Sequence, residues 1–302
     1  MEELNYIPEK DLNKAPDYVP NEVLGIIIDQ ARGSVCKIKC KYRENGIGFF
    51  CIIPFPNKNH SLPILMTTNH VILKKDIIKG NKIFYSMNNN KKVFEITIDD
   101  YRKVYSNEIF SVTFIEIKEN DDLDFDSFLE IDDKVFQDNP NDIFKNNSIY
   151  LIGNPKGRKS LYSMGLIKDI NEDNFEIKHL SKTDPESSGC PIINLNNNKV
   201  IGIHKGPAKN GQNWNLGTFL KGPLEQFKKE NLNIQSNNDI SSINNNIEEV
   251  YEEDNYDNYL DEMTIIYETS LKDNKISDEF INRIKNKWGE TISEKKFLEK
   301  LL

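Results

Sequence analysis

Two short stretches carry residue types suited to nucleophilic acyl transfer. In residues 66–71 (MTTNHV), His70 follows an apolar run directly, where a rigid strand end can present an imidazole at a loop. Near neutral pH an imidazole can take a proton from a hydroxyl and return it later, although a single histidine is more often a surface or hydrogen-bonded core residue. In residues 186–193 (ESSGCPII), Ser188 lies in a turn that leads into a second apolar run. A serine hydroxyl is a weak nucleophile until a neighbouring base removes its proton as it attacks a carbonyl. A tight turn also aims backbone N–H groups at the oxyanion that then forms, and Gly189 permits such a turn. Taken alone the second stretch equally fits an ordinary hairpin loop, and only its pairing with His70 gives it chemical meaning. Cys190 is out of the nucleophile's place and reads as a small residue packed under the turn. Cys36 and Cys40 fall on one face of a strand, and no cysteine has metal-site spacing, so no metal or organic cofactor is implied and free thiols are expected.

Positioning two such groups takes a rigid frame. Between residues 21 and 193 the apolar residues come in short runs rich in Val, Ile, Phe and Tyr, broken by Asn, Gly, Pro and Asp clusters, which is strand spacing. The clearest runs are 34–40, 48–53, 62–66, 93–98, 112–117, 148–152 and 199–203. Many strands with few helical periods predict an all-β unit, built as barrels or a sandwich and not as a doubly wound sheet. A closing helix is expected over residues 217–230, where Leu220, Leu224 and Phe227 recur at helical spacing.

The 302-residue chain, 37% hydrophobic, can bury an ordinary core. Its first 18 residues are polar and charged without an apolar core segment, and no run is long enough to span a bilayer, so a cytoplasmic protein is expected. Of the net charge of −9, residues 230–262 hold ten acidic side chains and no Lys or Arg, which leaves the remainder near +1. That distribution argues against nucleic-acid or anionic-membrane partners. The Asn/Asp/Glu-rich part, residues 231–258, lacks periodicity and reads as a disordered linker. Beyond it, residues 259–302 read as a helical segment, with Ser277 as an N-cap, Phe280, Ile281 and Ile284 on one face, and a break at Trp288 and Gly289. Such a segment could dock a partner or pack on its own domain.

A strand followed by Thr-x-His, a later Val/Ile/Phe-rich strand, then Ser-Gly-x-Pro and a VIGI strand resembles the trypsin-like (chymotrypsin-fold) serine peptidases across residues 21–227. The resemblance implies two six-stranded antiparallel β-barrels, over residues 21–130 and 131–230, after an N-terminal extension of residues 1–20. It implies His70 from the first barrel as general base and Ser188 from the second as nucleophile. The backbone N–H groups of Glu186 and Ser188 would form the oxyanion hole, and a protein or peptide would be the substrate. Residues 200–206 (VIGIHKG) end the strand that walls the specificity pocket in this family. Together with Thr183, His204 resembles the pocket of viral chymotrypsin-like peptidases, where His and Thr hydrogen-bond a glutamine side chain; a pocket His also occurs in glutamate-specific relatives. Thr183, His204 and Gly206 are therefore the expected substrate-binding residues, with cleavage after Gln or Glu, since an imidazole N–H and a hydroxyl suit a side-chain carbonyl. The alternative is a solvent-facing His204 beside Lys205.

Two positions depart from the family pattern. Ser111 stands where the orienting aspartate begins the strand at residues 112–117. A hydroxyl can accept the imidazole N–H bond but cannot balance an imidazolium, and removing that carboxylate in a related enzyme lowers kcat about 10⁴-fold. Glu108 is either a substitute carboxylate or a solvated loop charge. Glu186 stands where the family has glycine, at a residue that would need positive φ to aim its N–H. Two readings follow: a serine endopeptidase, or a pseudopeptidase whose cleft binds a peptide or partner segment.

Overall fold

The computed structural model describes residues 15–40, 45–57, 59–87, 92–121, 123, 128–153, 161–208 and 212–242. Most of the N-terminal extension, the rest of the acidic stretch and the expected helical segment at 259–302 lie outside them. Among the described residues, no helix is long and apolar enough to cross a membrane.

The first element is a helix, α1 (Asn21–Gly33), where the apolar runs had suggested strands. Val23, Ile27 and Ala31 recur one turn apart and pack on the core, while Glu22 in the first turn and Arg32 in the last complement the helix dipole. Helical period wins over the local Ile-Ile-Ile run because one face of α1 is covered: Gln30 donates to the Asn198 carbonyl at 3.0 Å and accepts from Tyr150 Oη at 2.7 Å.

Strands β1 (Val35–Lys39), β2 (Gly46–Pro54), β3 (Ser61–Thr67), β4 (Lys82–Met87), β5 (Phe94–Thr97), β6 (Val104–Asn107) and β7 (Val112–Glu116) follow. They form one antiparallel path in the order β5-β4-β1-β2-β3-β7-β6, and short β8 (Leu129–Glu130) adds to β2 in parallel. The central strands β2, β3 and β7 are buried on both faces, which is why β2 is a nearly unbroken apolar run, whereas β4 and β5 expose one face. Ile47, Phe49, Cys51, Ile64, Met66 and Phe114 face the core shared with the second unit. Cys36, Ile38, Phe50, Leu65, Tyr85 and Ile115 face the other way, where Phe50 stacks on Phe128 and meets Tyr85 edge-on. All four cysteines are free thiols.

A short helix α2 (Pro140–Phe144) leads into β9 (Ser148–Gly153), β10 (Leu161–Asn171), β11 (Glu176–His179), β12 (Pro191–Asn194), β13 (Lys199–Pro207) and β14 (Asn215–Phe219). These six strands close into a barrel, β10-β11-β14-β13-β12-β9. The expected two-barrel, all-β architecture is therefore present as one closed six-stranded barrel and one half-barrel, whose end strands β5 and β6 pair with β4 and β7 but, among the described residues, not with each other. Helix α3 (Lys221–Ser242) closes the second unit. It begins later than expected, because Gly217 to Phe219 pair with β11 and β13, and it runs on into the Asn-rich stretch read as linker. Leu220, just before the helix, and Leu224 and Phe227 within it are fully buried.

Candidate active site

The turn carrying Ser188 is held by hydrogen bonds from both units. Within the second barrel, Ser187 N–H donates to Asp184 O at 3.2 Å, Cys190 N–H to Ser187 O at 3.1 Å, and Gly189 N–H to His204 O on β13 at 2.9 Å. From the first unit, Ile47 N–H on β2 donates to Ser188 O at 2.9 Å. Gly189 is required at this crossing: its φ is +93°, and a Cβ there would fall 1.9 Å from Ile47 O and 2.7 Å from Thr67 Oγ1. Glu186 takes φ +70°, the left-handed conformation its position was expected to need. For a non-glycine residue that costs about 1 to 3 kcal/mol. Its carboxylate accepts from Lys37 Nζ on β1 at 2.9 Å. Among the described residues, the Ser188 N–H has no acceptor, so a donor points free from the turn.

His70 sits where β3 runs into a helical turn, with Val71 and Ile72 N–H groups both reaching Thr68 O. The polar residues before it are buried and satisfied. Thr67 Oγ1 donates to Ile47 O at 2.7 Å, the residue whose N–H holds Ser188 O, so the histidine loop and the serine turn meet on one strand. Asn69 Nδ2 donates to Ser106 Oγ at 2.7 Å, Ser106 pairs with Thr113 Oγ1 at 2.9 Å, and Thr113 donates to Ile72 O at 2.7 Å, which ties the loop to β6 and β7. His70 is open to solvent on one side, yet desolvation by its surroundings holds its pKa below the usual imidazole value. Its Nε2 lies 3.4 Å from Thr68 Oγ1, while Ser188 Oγ donates to the Lys205 carbonyl at 2.9 Å. Each candidate group thus has a partner in its own unit, and no hydrogen bond joins them.

The remaining expected positions fall as follows. Ser111 adopts φ +56° in the β6–β7 turn, where its N–H donates to Glu108 O at 3.2 Å. Glu108, in the same turn, is exposed. His204 is neither solvent-facing nor free: it is 1% exposed, and its Nδ1 lies 3.1 Å from Nε2 of His179 on β11. Burial lowers its pKa to about 4, with the nearby charge of His70 acting in the same direction, so its ring is neutral at pH 7. Thr183 instead lines a cavity of about 250 Å³ with Asp184, Ser187, Cys190, Leu151 and Tyr162. Gly206 lies at an irregularity in β13 pairing, and space is open where its Cβ would be. Sequence reasoning missed His179 and Lys37. The first was readable only as an inward-facing position of the alternating Glu176–His179 strand, while the second, 149 residues from Glu186, had no local signal.

A family model described as Peptidase S39 matches residues 61–224, more than half of the chain. Among solved structures, a serine endoprotease from Yersinia pestis aligns over 71% of this chain and 69% of its own, at 15% identity and a TM-score of 0.49. Rv3671c from M. tuberculosis aligns over 71% of this chain and 94% of its own, at 18% identity and a TM-score of 0.48.

Proposed function

Because the chain belongs to the peptidase S39 family of serine peptidases, we propose that it hydrolyses peptide bonds through an acyl-enzyme on Ser188, with His70 as general base. The supporting observation is the Ser188 turn, which is clamped by Ile47 and His204 and leaves the Ser188 N–H without an acceptor. In the first step the hydroxyl turns from the Lys205 carbonyl toward His70, gives up its proton to the neutral ring and attacks the substrate carbonyl. The oxyanion forms at the N–H groups of Ser188 and Glu186. The imidazolium then protonates the leaving amine, and water repeats the sequence in reverse to free the acid. Ser111 takes the third position, accepting the imidazole N–H without balancing its charge, and Glu108 serves as carboxylate only if the turn folds inward.

For specificity we propose a side-chain carbonyl beside His204. A neutral imidazole offers a hydrogen bond and no countercharge, which favours Gln over Glu after which to cleave. A peptide library cut after Lys, Arg or Phe would remove this part of the proposal.

The mechanism is tested by labelling with a fluorophosphonate probe. Wild type should label and Ser188→Ala should not. Labelling of neither, with peptide binding retained, would establish the second reading, a peptide-binding pseudopeptidase. The engagement of Ser188 Oγ by Lys205 and the serine at position 111 are the observations in its favour.

A further inference from the structure

We propose that Lys37 is a positioning residue for the oxyanion turn: its ion pair with Glu186 holds that residue in the left-handed conformation and so keeps the turn in its aiming geometry. This rests on the reading of Ser188 as nucleophile. Glu186 lies two residues before Ser188, has φ +70° and is not glycine, so nothing intrinsic to the residue favours the conformation it holds. A flip of the neighbouring peptide would relax it and turn the N–H away. The restraint comes from the other unit. Lys37 is paired across strands with Ile47, and Ile47 N–H holds Ser188 O. The β1–β2 pair therefore grips the turn at two points, one through the backbone of Ser188 and one through the side chain of Glu186 at 2.9 Å. The two side chains are only 15% and 24% exposed, unlike the solvent-screened pairs that contribute little. The carboxylate in place of glycine thus exchanges conformational freedom for a tether to the half-barrel, and the turn's geometry becomes dependent on how the two units sit against each other.

The test is a cycle of Lys37→Met, Lys37→Arg and Glu186→Gly, read by the inactivation rate and affinity of a fluorophosphonate probe. Lys37→Met should lower the maximal inactivation rate about tenfold, short of the 10²–10³ for deleting an oxyanion donor outright, with affinity held within about twofold. Lys37→Arg, which can still pair with the carboxylate, should restore the rate to within about threefold of wild type. In the Glu186→Gly background the Lys37→Met change should alter the rate by less than about twofold, because glycine adopts positive φ without a tether. An unchanged rate in Lys37→Met, or an equal loss in both backgrounds, overturns the proposal. If wild type itself does not label, the peptidase reading fails, and the tether is still decided by backbone carbon shifts of residue 186. A departure from left-handed values in Lys37→Met sustains it, and wild-type shifts in that variant overturn it.

Discussion

Gly189 and His70 set the most demanding conditions at the level of single residues. Gly189 combines positive φ with a backbone oxygen 1.9 Å from where a Cβ would stand, and that oxygen belongs to Ile47, which a strand pairing holds fixed. Gly189→Ala must therefore push the turn off β2 or break the Ile47–Ser188 hydrogen bond. We expect a loss of about 2 to 4 kcal/mol by denaturant unfolding together with loss of probe labelling, and an alanine variant of wild-type stability would refute this. His70 makes a prediction in pH. Because desolvation lowers its pKa, the neutral ring that can accept the Ser188 proton persists below pH 6.5, and the acid limb of kcat/KM should fall at a lower pH than for a free imidazole. An acid limb centred above pH 7 would mean that a carboxylate reaches the ring after all, and Glu108 would be the first residue to test.

At the scale of elements, β11 and β13 bring two buried histidines together, and burial lowers the pKa of both. A buried ring that stays neutral down to about pH 4, when the same ring titrates near 6.5 in the unfolded chain, makes the unfolded state bind more protons between those values. Stability is therefore full above about pH 6.5 and is lost as pH falls toward 4. Melting temperature should decline over that interval, and replacing both rings by phenylalanine should flatten the slope; an equally steep decline in the double variant would assign the acid sensitivity elsewhere. Strands also explain what was legible. Runs such as residues 62–66 and 199–203 were readable because both faces of each strand are buried, so apolar residues cluster without interruption. Strand β10 was not, because an irregularity between Ile167 and Asp169 breaks its alternation. Helix α1 was missed because Ile26, Ile27 and Ile28 read locally as strand, although only Ile27 of the three is buried. The tether from Lys37 to Glu186 and the pairing of His179 with His204 depend on long-range register, which no window of sequence contains.

At the scale of the molecule, the site exists only while two separately built units stay in register, since the turn that carries Ser188 takes a hydrogen bond from β2. Helix α3 is the strap. It follows β14 in the chain, yet the ring of Phe227 lies 5.5 Å from Phe55 and 6.0 Å from both Tyr105 and Phe114, all in the first unit. Gln226, beside it, accepts from Asn107 at 3.3 Å. Phe227 is fully buried, and its truncation to alanine should cost about 3 to 5 kcal/mol. A suitable control is Phe144→Ala, which removes an equally buried ring whose edge-on partner, Phe219, belongs to the second barrel. Both variants lose similar packing, but only Phe227→Ala releases the half-barrel from the helix. Amide exchange at Ile47, the N–H that reaches Ser188 O between units, should therefore accelerate more in Phe227→Ala than in Phe144→Ala at matched global stability. Equal protection of Ile47 in the two variants would show that the shared core alone keeps the units in register and that α3 contributes only its buried area.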